Sequence, residues 1–413
     1  MRRPLQGPPK MNVAARTRWL TIIGVGEDGL DGLSPAAAAL LKQARFVIGG
    51  ARHLAMLKST TAEAMEWPSP FERGIEAIKA RRGAPTCVLA SGDPYLYGVG
   101  ATLAAHVPPE ETICLPAPSS LSLAAARLGW ALQDCDIVSL HGRPFERVIP
   151  HLRPRARLLI LSWNESTPEK VAQLLVQRGL GASRVTVLAA LGGSRERVSA
   201  SSARDFAPGP IDPLNVVAIE VEESGANYIP LTPGLPDEWY ETDGQITKRD
   251  IRAITLSALA PWPGASLWDI GAGSGSVAIE WMLSHPRNRA VAIEARADRA
   301  ARIARNAAAL GAPDLVVMNG EARELIRGLP PPDAIFVGGG GAAVIDAAWA
   351  LAPAGRRFVA NAVTIETQAA LVERQARHGG ELVQIALAHP APVGSYHAWR
   401  PAAPVVQWRA IKP

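Results

Sequence analysis

"DIGAGSGSVAIE", residues 269–280, joins a short apolar run, "SLWDIG", to an apolar helical pattern, "SVAIEWMLS". Its glycines mark a tight strand-to-helix turn whose backbone a nucleotide-like ligand can approach closely. Outward from this stretch the rhythm repeats. "RAVAIEA" reads as a strand, and the amphipathic helix "RADRAARIARNAAALG" after it stops at Gly311, as helices commonly do. "LVVMNG", "DAIFVGG" and "RRFVANAV" read as further strands, with helical patterns "AAVIDAAWALA" and "TIETQAALVERQARHG" among them. Strands alternating with helices of this length predict a parallel, doubly wound, Rossmann-like sheet. "ELVQIALAH" and "PVVQWRAI" lack a helix between them and predict an antiparallel edge pair.

Gly271, Gly273 and Gly275 are spaced G-x-G-x-G, with Asp269 two residues ahead and Ala272 and Ser274 between them. A dinucleotide turn places its third glycine one position later, where this chain has Ser276. The form found here resembles the turn by which methyltransferases hold S-adenosylmethionine. That ligand has no phosphate, and its amino-acid end carries an ammonium that a carboxylate can balance. Two readings stay open for Asp269: partner of that ammonium, or structural cap of the turn. Glu294 ends the second strand 19 residues after Gly275. There it can accept from both ribose hydroxyls, or stand as a solvated surface acid. After the third strand, "NGEA" offers Glu321 and Ala322 beside the expected adenine.

The N-terminal part also alternates. "LTIIGVG", "TCVLASG", "ETICLPAP", "DIVSLHG", "RLLILSW", "VTVLAAL" and "NVVAIEV" are strand candidates. "GATLAAHV", "SLSLAAARLG" and "PEKVAQLLVQRG" read as helices, and Ser34 and Pro35 as the N-cap and first residue of "AAAALLKQA". A stretch rich in Gly, Pro and acids, residues 222–243, breaks the rhythm and is expected to be a linker. Two unlike α/β domains in series follow, at 19–221 and 244–413. Residues 1–18, basic and proline-containing without an apolar core, are expected to be a disordered extension and not a signal peptide.

Composition sets limits. Hydrophobic residues make up 48% and charged residues 20% of 413, which suits two globular cores. No apolar run nears the ~20 residues of a membrane span, so a soluble cytoplasmic protein is expected. Cys87, Cys114 and Cys135 are odd in number and lack CxxC spacing, and the eight His residues show no metal-ligand spacing. Buried free thiols and no metal are expected. Of the 43 basic residues seven are Lys and 36 Arg. Arg suits an acidic, carboxylate-bearing partner, although genomic base composition is the stronger explanation of the bias. No basic block is interleaved with aromatics, so no nucleic-acid partner is indicated.

Three further stretches carry a resemblance. "GQITKRDIR" (Gly244–Arg252), "DAIFVGGGG" (Asp333–Gly341) and "NAVTIET" (Asn361–Thr367) resemble the small methyltransferase family of cobalamin biosynthesis that decarboxylates and methylates precorrin-6. The N-terminal half is similar to the tetrapyrrole methylases of the same pathway. The carrying motifs there are "IIGVGEDG" (Ile22–Gly29), "SGDPYLYGVG" (Ser91–Gly100), "PAPSSLSLAAARLG" (Pro116–Gly129) and "SLHGR" (Ser139–Arg143). Glu27 and Asp28 depart from the usual opening loop, where a small residue and Pro are common.

The two halves in this order imply the fused family acting on reduced precorrin-6 (precorrin-6B). The implied reaction is methylation at C5 and C15 with loss of the ring C acetate carboxyl, giving precorrin-8x. One S-adenosylmethionine per domain is implied, with a small-molecule tetrapyrrole as partner and a homo-oligomeric assembly. By resemblance, Thr247 lies in the loop over the C-terminal cofactor, and Gly338, Gly339 and Gly340 let the macrocycle approach. In the N-terminal domain Gly92, Asp93 and Pro94 face Ser119 and Ser120 around the second cofactor. Gly24, Gly26, His141 and Arg143 are candidates for substrate contact. No catalytic acid or base is assigned. Two other readings stay open: a methyltransferase pair for another acceptor, such as RNA, and a cofactor-binding scaffold with one inactive domain.

Overall fold

Alternation within the apolar runs decides the first core. Ile22, Phe46, Ile48, Val88 and Ala90 join one buried cluster, while Ile23, Val47, Cys87 and Leu89 join another. Successive strand residues point to opposite faces, so these strands are covered on both sides, as parallel strands are. The computed structural model describes residues 18–57, 61–222 and 227–413. Of the expected extension 1–18, all but the exposed Arg18 lies outside the described residues. The chain divides into two units, the first reaching His141 and resuming over Arg155–Glu222, the second taking Gly142–Pro154 and the chain beyond residue 222.

The first unit holds two sheets. One contains β1 (Leu20–Val25), β2 (Phe46–Gly49), β3 (Glu63–Glu66), β4 (Thr86–Ser91) and β5 (Thr112–Leu115), in the order β3-β2-β4-β1-β5 and parallel throughout. Its helices are α1 (Pro35–Gln43), α2 (Ala51–Ala55), α3 (Glu72–Ala80) and α4 (Val99–Leu103). Ser34 caps α1 by accepting from the Ala37 N–H at 3.2 Å, and Pro35 fills the first turn, as the sequence predicts. The other sheet contains β6 (Asp136–Ser139), β7 (Arg157–Leu161), β8 (Arg184–Ala189), β9 (Arg197–Ser202) and β10 (Asn215–Glu220), in the order β6-β7-β10-β8-β9. Only its β6–β7 pair is parallel. Helices α5 (Ser120–Leu128) and α6 (Thr167–Gln177) belong to this half. The three cysteines are free; Cys87 is buried, which pushes its thiol up to about 12, and Cys114 and Cys135 are half-buried.

The second unit is built on β11 (Ser266–Ile270), β12 (Arg289–Glu294), β13 (Val316–Asn319), β14 (Ala334–Val337), β15 (Arg357–Ala362) and β16 (Glu381–Ile385), a hairpin β17 (Ala388–Val393) and β18 (Tyr396–Pro401), and β19 (Val405–Ile411). The main sheet runs β13-β12-β11-β14-β15-β19-β16, parallel up to β15 and antiparallel around β19. The expected pairing of the last two apolar runs is present as β16–β19. The structure also places β19 against β15, in the sheet's interior. Helices α7 (Arg249–Leu259), α8 (Ser276–Leu283), α9 (Ala297–Leu310), α10 (Ala322–Leu325), α11 (Gly341–Leu351) and α12 (Ile365–His378) complete it. Trp349, Phe358 and Trp408 pack together in the core beneath α11 and α12. Within the stretch read as a linker, Ile229, Leu235 and Tyr240 are buried in this unit. Among the described residues no helix is long and apolar enough to cross a membrane.

Strand order locates the crevice. From β11 the chain steps outward to β12 and β13, then returns to the other side of β11 as β14. In a doubly wound sheet, ligands bind at the carboxyl ends of the strands where the order reverses. Here those ends are Ile270 and Val337, each followed by glycine.

Candidate functional site

At this reversal two glycine runs meet backbone to backbone. The Gly338 N–H donates to the Ile270 carbonyl at 2.9 Å. Gly271 has φ of +71°, and a Cβ on it would lie 2.8–3.1 Å from the Gly339 backbone. Gly273 has φ of +61°, and a Cβ there would stand 3.0 Å from the Gln245 carbonyl oxygen. Each position needs a left-handed backbone and has no room for a side chain. Gly275 is the N-cap of α8, and Ser274 is fully buried. Ala272 closes the turn by accepting from the Gly275 N–H at 2.8 Å. The expected residues 271–275 thus form one turn, with Gly338 and Gly339 against it and Gly340 capping α11.

Two carboxylates stand at this turn. Asp269 is 1% exposed. Its Oδ2 accepts from the Ala278 N–H in the first turn of α8 at 2.9 Å, whereas Oδ1 has no hydrogen-bond partner among the described residues. One oxygen therefore acts as the cap, and the other stands unpartnered among the described residues. Burial pushes the carboxyl up to about 7; the Ala278 hydrogen bond opposes the shift and nearby Glu294 adds to it. A cation reaching Oδ1 would satisfy the orphaned atom and favour the ionised form. Glu294 is 6% exposed, so it is not a solvated surface acid. Its Oε2 accepts from the Gly273 N–H at 2.9 Å and Oε1 from the Arg296 N–H at 3.0 Å. Buried acid, orphaned oxygen and backbone without side chains suit an ammonium and a hydroxyl-bearing ribose.

The remaining expected positions border this turn. Asn319 donates to the carbonyls of Glu294 and Ala295 at 2.9 and 3.0 Å, tying the ends of β12 and β13 together. Glu321, exposed, is the N-cap residue of α10, and Ala322 begins that helix and packs on the core. Thr247 is half-buried and lies one residue before Lys248, the N-cap position of α7. Its carbonyl accepts from Arg252, whose buried guanidinium also pairs with Glu280 and Asp237.

In the first unit a second junction forms at the carboxyl ends of β1, β4 and β5. The Gly92 N–H donates to the Val25 carbonyl at 3.0 Å, and the Ala117 N–H donates to the Gly92 carbonyl at 3.1 Å. A Cβ on Gly24 would collide with both the Gly92 oxygen and the Ala117 nitrogen. Gly92 faces the backbone of Pro118 and Ser119. Ser119 caps α5 by accepting from the Ser122 N–H at 3.1 Å, and Ser120 opens that helix. The structure thus brings Gly92 and Ser119 together. Asp93 turns to its own loop, accepting from the Tyr95 N–H at 2.9 Å, and the Pro94 carbonyl accepts from Gly100 N–H at 2.8 Å. Gly26 bridges to Gly29, with the Asp28 carboxylate filling the loop. His141 is exposed and Arg143 half-buried; they fall at the division between the two units, His141 counting with the first and Arg143 with the second.

Sequence reading missed two clusters. In the first unit Glu27 pairs with Arg52 and, at 3.5 Å, with Arg195. Arg52 also donates to Ser91 Oγ at 2.9 Å and lies 3.2 Å from His53 Nε2. Burial, then the Arg52 charge, lowers the His53 imidazole to about 4. In the second unit Asp243 pairs with Arg299 and Arg302. The spacing of those two arginines on one face of a helix was visible, but their distant partner was not. An apolar cavity of about 450 Å³ between residues 229–235 and α7–α8 includes none of the glycine-turn residues, so depth alone does not mark the site. Among the described residues no group of three or more His, Cys, Asp and Glu is placed to hold a metal ion.

Both halves match family models. Residues 19–207 match the model described as Tetrapyrrole (Corrin/Porphyrin) Methylases, and residues 238–412 the one described as Precorrin methyltransferase domain. A precorrin-6Y C(5,15)-methyltransferase (decarboxylating) of Sinorhizobium sp is 53% identical over 398 residues, covering 95% of this chain and 96% of that protein. A protein of the same name from Mycobacterium tuberculosis (strain CDC 1551 / Oshkosh) is 40% identical over 403 residues, covering 95% of this chain and 100% of its own length. The crystal structure of the C-terminal domain of precorrin-6Y C5,15-methyltransferase from Rhodobacter capsulatus is 44% identical, covers 44% of this chain and 100% of its own, and superposes with a TM-score of 0.43. With two family models in series and relatives matched over 95% of its length, the chain belongs to the precorrin-6Y C(5,15)-methyltransferase (decarboxylating) family.

Proposed function

We propose that the chain binds two molecules of S-adenosylmethionine, one in each unit, and methylates reduced precorrin-6 at C5 and C15 in the cytoplasm with loss of the ring C acetate carboxyl. Residues 19–221 are assigned the C5 methylation, residues 244–413 the C15 methylation and decarboxylation, and residues 222–243 the connection. The observation that carries the reading is the pair of glycine junctions at the carboxyl ends of two unrelated sheets, one of them facing an orphaned buried carboxylate oxygen.

In the second unit Asp269 would hold the ammonium, Glu294 the ribose, and Glu321 and Ala322 the adenine, under the loop containing Thr247. In the first, Gly92, Asp93 and Pro94 would face Ser119 and Ser120 around the donor. Bound there, S-adenosylmethionine supplies an electrophilic methyl group. The protein then has mainly to align donor and acceptor and exclude water. Loss of carbon dioxide from an acetate leaves its electron pair in the conjugated ring, which makes a bridging carbon nucleophilic. That carbon attacks the methyl group as the sulfur leaves; the methylated bridging carbon then gives up its proton, and the former acetate carbon takes one up to become a methyl group. Gly24, Gly26 and the 338–340 run would let the macrocycle approach the backbone, with His141 and Arg143 as contacts for its carboxylates. A homo-oligomer is also proposed, supported by the exposed Val393, Tyr396 and Trp399 on the β17–β18 hairpin.

The test is mass spectrometry of reduced precorrin-6 incubated with the chain and S-adenosylmethionine, alongside calorimetric titration with S-adenosylhomocysteine. Two added methyls, one lost carbon dioxide and two equivalents bound are expected. One equivalent bound by the fully folded chain overturns the reading.

A further inference from the structure

The loop ahead of α7 lies directly on the glycine turn, held at its near end through Glu241 and at its far end by the bond from Arg252 to the Thr247 carbonyl. Thr242 to Gln245 are exposed, and Gly244 has φ of +94° with open space around it. Yet the Gln245 carbonyl stands over Gly273 and accepts from Ser274 Oγ at 3.3 Å. Two carboxylates tie this loop to α9: Glu241 pairs with Arg305 at 2.7 Å, and Asp243, nearer the turn, with two further arginines. Asp243 Oδ2 accepts from Arg299 Nε at 2.9 Å, and Oδ1 pairs with Arg302 Nη1 at 3.2 Å. Asp243 Oδ1 also accepts from the Gln245 N–H at 3.2 Å, so the same group fixes the residue that touches the turn. Both arginines sit on α9, which is anchored through buried Ala300, Ile303, Ala307 and Leu310. Further back, Asn306 of α9 bonds Glu241 at both its N–H and its carbonyl and reaches the Ser274 carbonyl at 2.9 Å. The loop is therefore pinned at residue 241 by a buried amide and at residue 243 by charge, immediately before the part that covers the turn.

We propose that Asp243 is a positioning residue of the second methyl-donor site, holding Gln245–Thr247 over the glycine turn through its grip on Arg299 and Arg302. The proposal rests on the reading that this turn takes S-adenosylmethionine. Releasing the grip frees the loop to spend time away from the turn, so the donor escapes faster while the chemistry of the closed state is unchanged.

The experiment compares the full-length chain with Asp243→Asn and Asp243→Glu, following C5 and C15 methylation separately by mass spectrometry. S-adenosylhomocysteine dissociation is followed by stopped flow. In Asp243→Asn, KM for S-adenosylmethionine in C15 methylation should rise about three- to tenfold, with kcat little changed. C5 methylation on the same chain should be unaffected, and Asp243→Glu should recover part of the loss. Dissociation from the wild-type chain should quicken with added salt, and that from Asp243→Asn should respond less, by what the remaining Glu241–Arg305 pair contributes. If Asp243→Asn does not fold, Arg299→Met loosens the same grip from the other side, leaving the Arg302 pair, and should give a smaller shift in the same direction. An unchanged KM and dissociation rate, or equal losses at C5 and C15, overturns the role of Asp243 alone, provided two equivalents of S-adenosylhomocysteine still bind. A wild-type chain that binds one equivalent, undisturbed by Asp269→Ala, overturns the reading of the second unit and this role with it.

Discussion

The two units meet the same requirement with different materials. In the second, buried carboxylates stand at the turn: Asp269 with one oxygen unpartnered, Glu294 bonded to Gly273 N–H. In the first, the junction is backbone against backbone. Gly24, Gly92 and Ala117 meet there, and Asp93 is engaged with its own loop. A buried acid recognises charge, and its strength depends on its own ionisation. A backbone junction recognises shape and offers hydrogen bonds that do not titrate. On the proposed reading, one chain would hold one donor at two sites that answer differently to pH and substitution.

Four measurements would break or sharpen this contrast. The largest effect is expected for Asp269→Ala, which removes the proposed partner of the ammonium. Such a loss costs about 2–5 kcal/mol, or roughly thirtyfold to several thousandfold. C15 methylation and decarboxylation should fail while C5 methylation persists, leaving a singly methylated product with all its carboxyls. A thermal melt checks that loss of the cap to Ala278 has not unfolded the unit. Gly24→Ala should do the reverse, since its methyl meets the Gly92 oxygen and the Ala117 nitrogen. Overpacking of this kind costs about 1–3 kcal/mol, so C5 methylation should drop roughly ten- to a hundredfold with C15 methylation intact.

The pH dependence comes next. A carboxyl raised to about 7 in the folded chain, above its ordinary value, stabilises the ligand-free unit at low pH and loses that contribution as pH climbs through 7. Binding of an ammonium runs the other way, because it needs the ionised form. Affinity of the second site for S-adenosylhomocysteine should rise roughly tenfold from pH 5.5 to 7, a range in which an α-amino group stays protonated. Calorimetry should find the first site flat over that range, and the second flat in Asp269→Asn. A slope at both sites would erase the distinction. The smallest effect is expected for Glu294→Gln, which keeps an acceptor but loses its charge. Affinity of the second site should weaken about three- to tenfold, with the first unmoved.

Much of this was legible before any coordinates. β1 and β11 are buried along almost their whole length, and such strands declare themselves as apolar runs. The spacing of Asp269, the glycines and Glu294 gave the turn, because those residues act through local geometry. The rest was hidden for physical reasons. β3, "EAME", and β9, "RVSASS", are edge strands with mostly exposed side chains and so carry no apolar alternation. The β17–β18 hairpin contains Pro390, Pro392 and Pro401, which argue against a strand in sequence. The division of the first unit into two sheets leaves the helix–strand rhythm almost unchanged. The grip of Asp243 on Arg299 joins residues 56 positions apart, a pairing that only the fold creates.

The placement of β19 bears on how the molecule is made. The first unit has its final strand once Glu220 is made, so its sheets can assemble while the ribosome is still at work. The second unit seals later, because Val405–Ile411 belongs between β15 and β16 and carries Trp408 into the core. Until those seven residues emerge, two strand edges and an aromatic cluster stay open. During synthesis the hazard of aggregation therefore falls on the second unit.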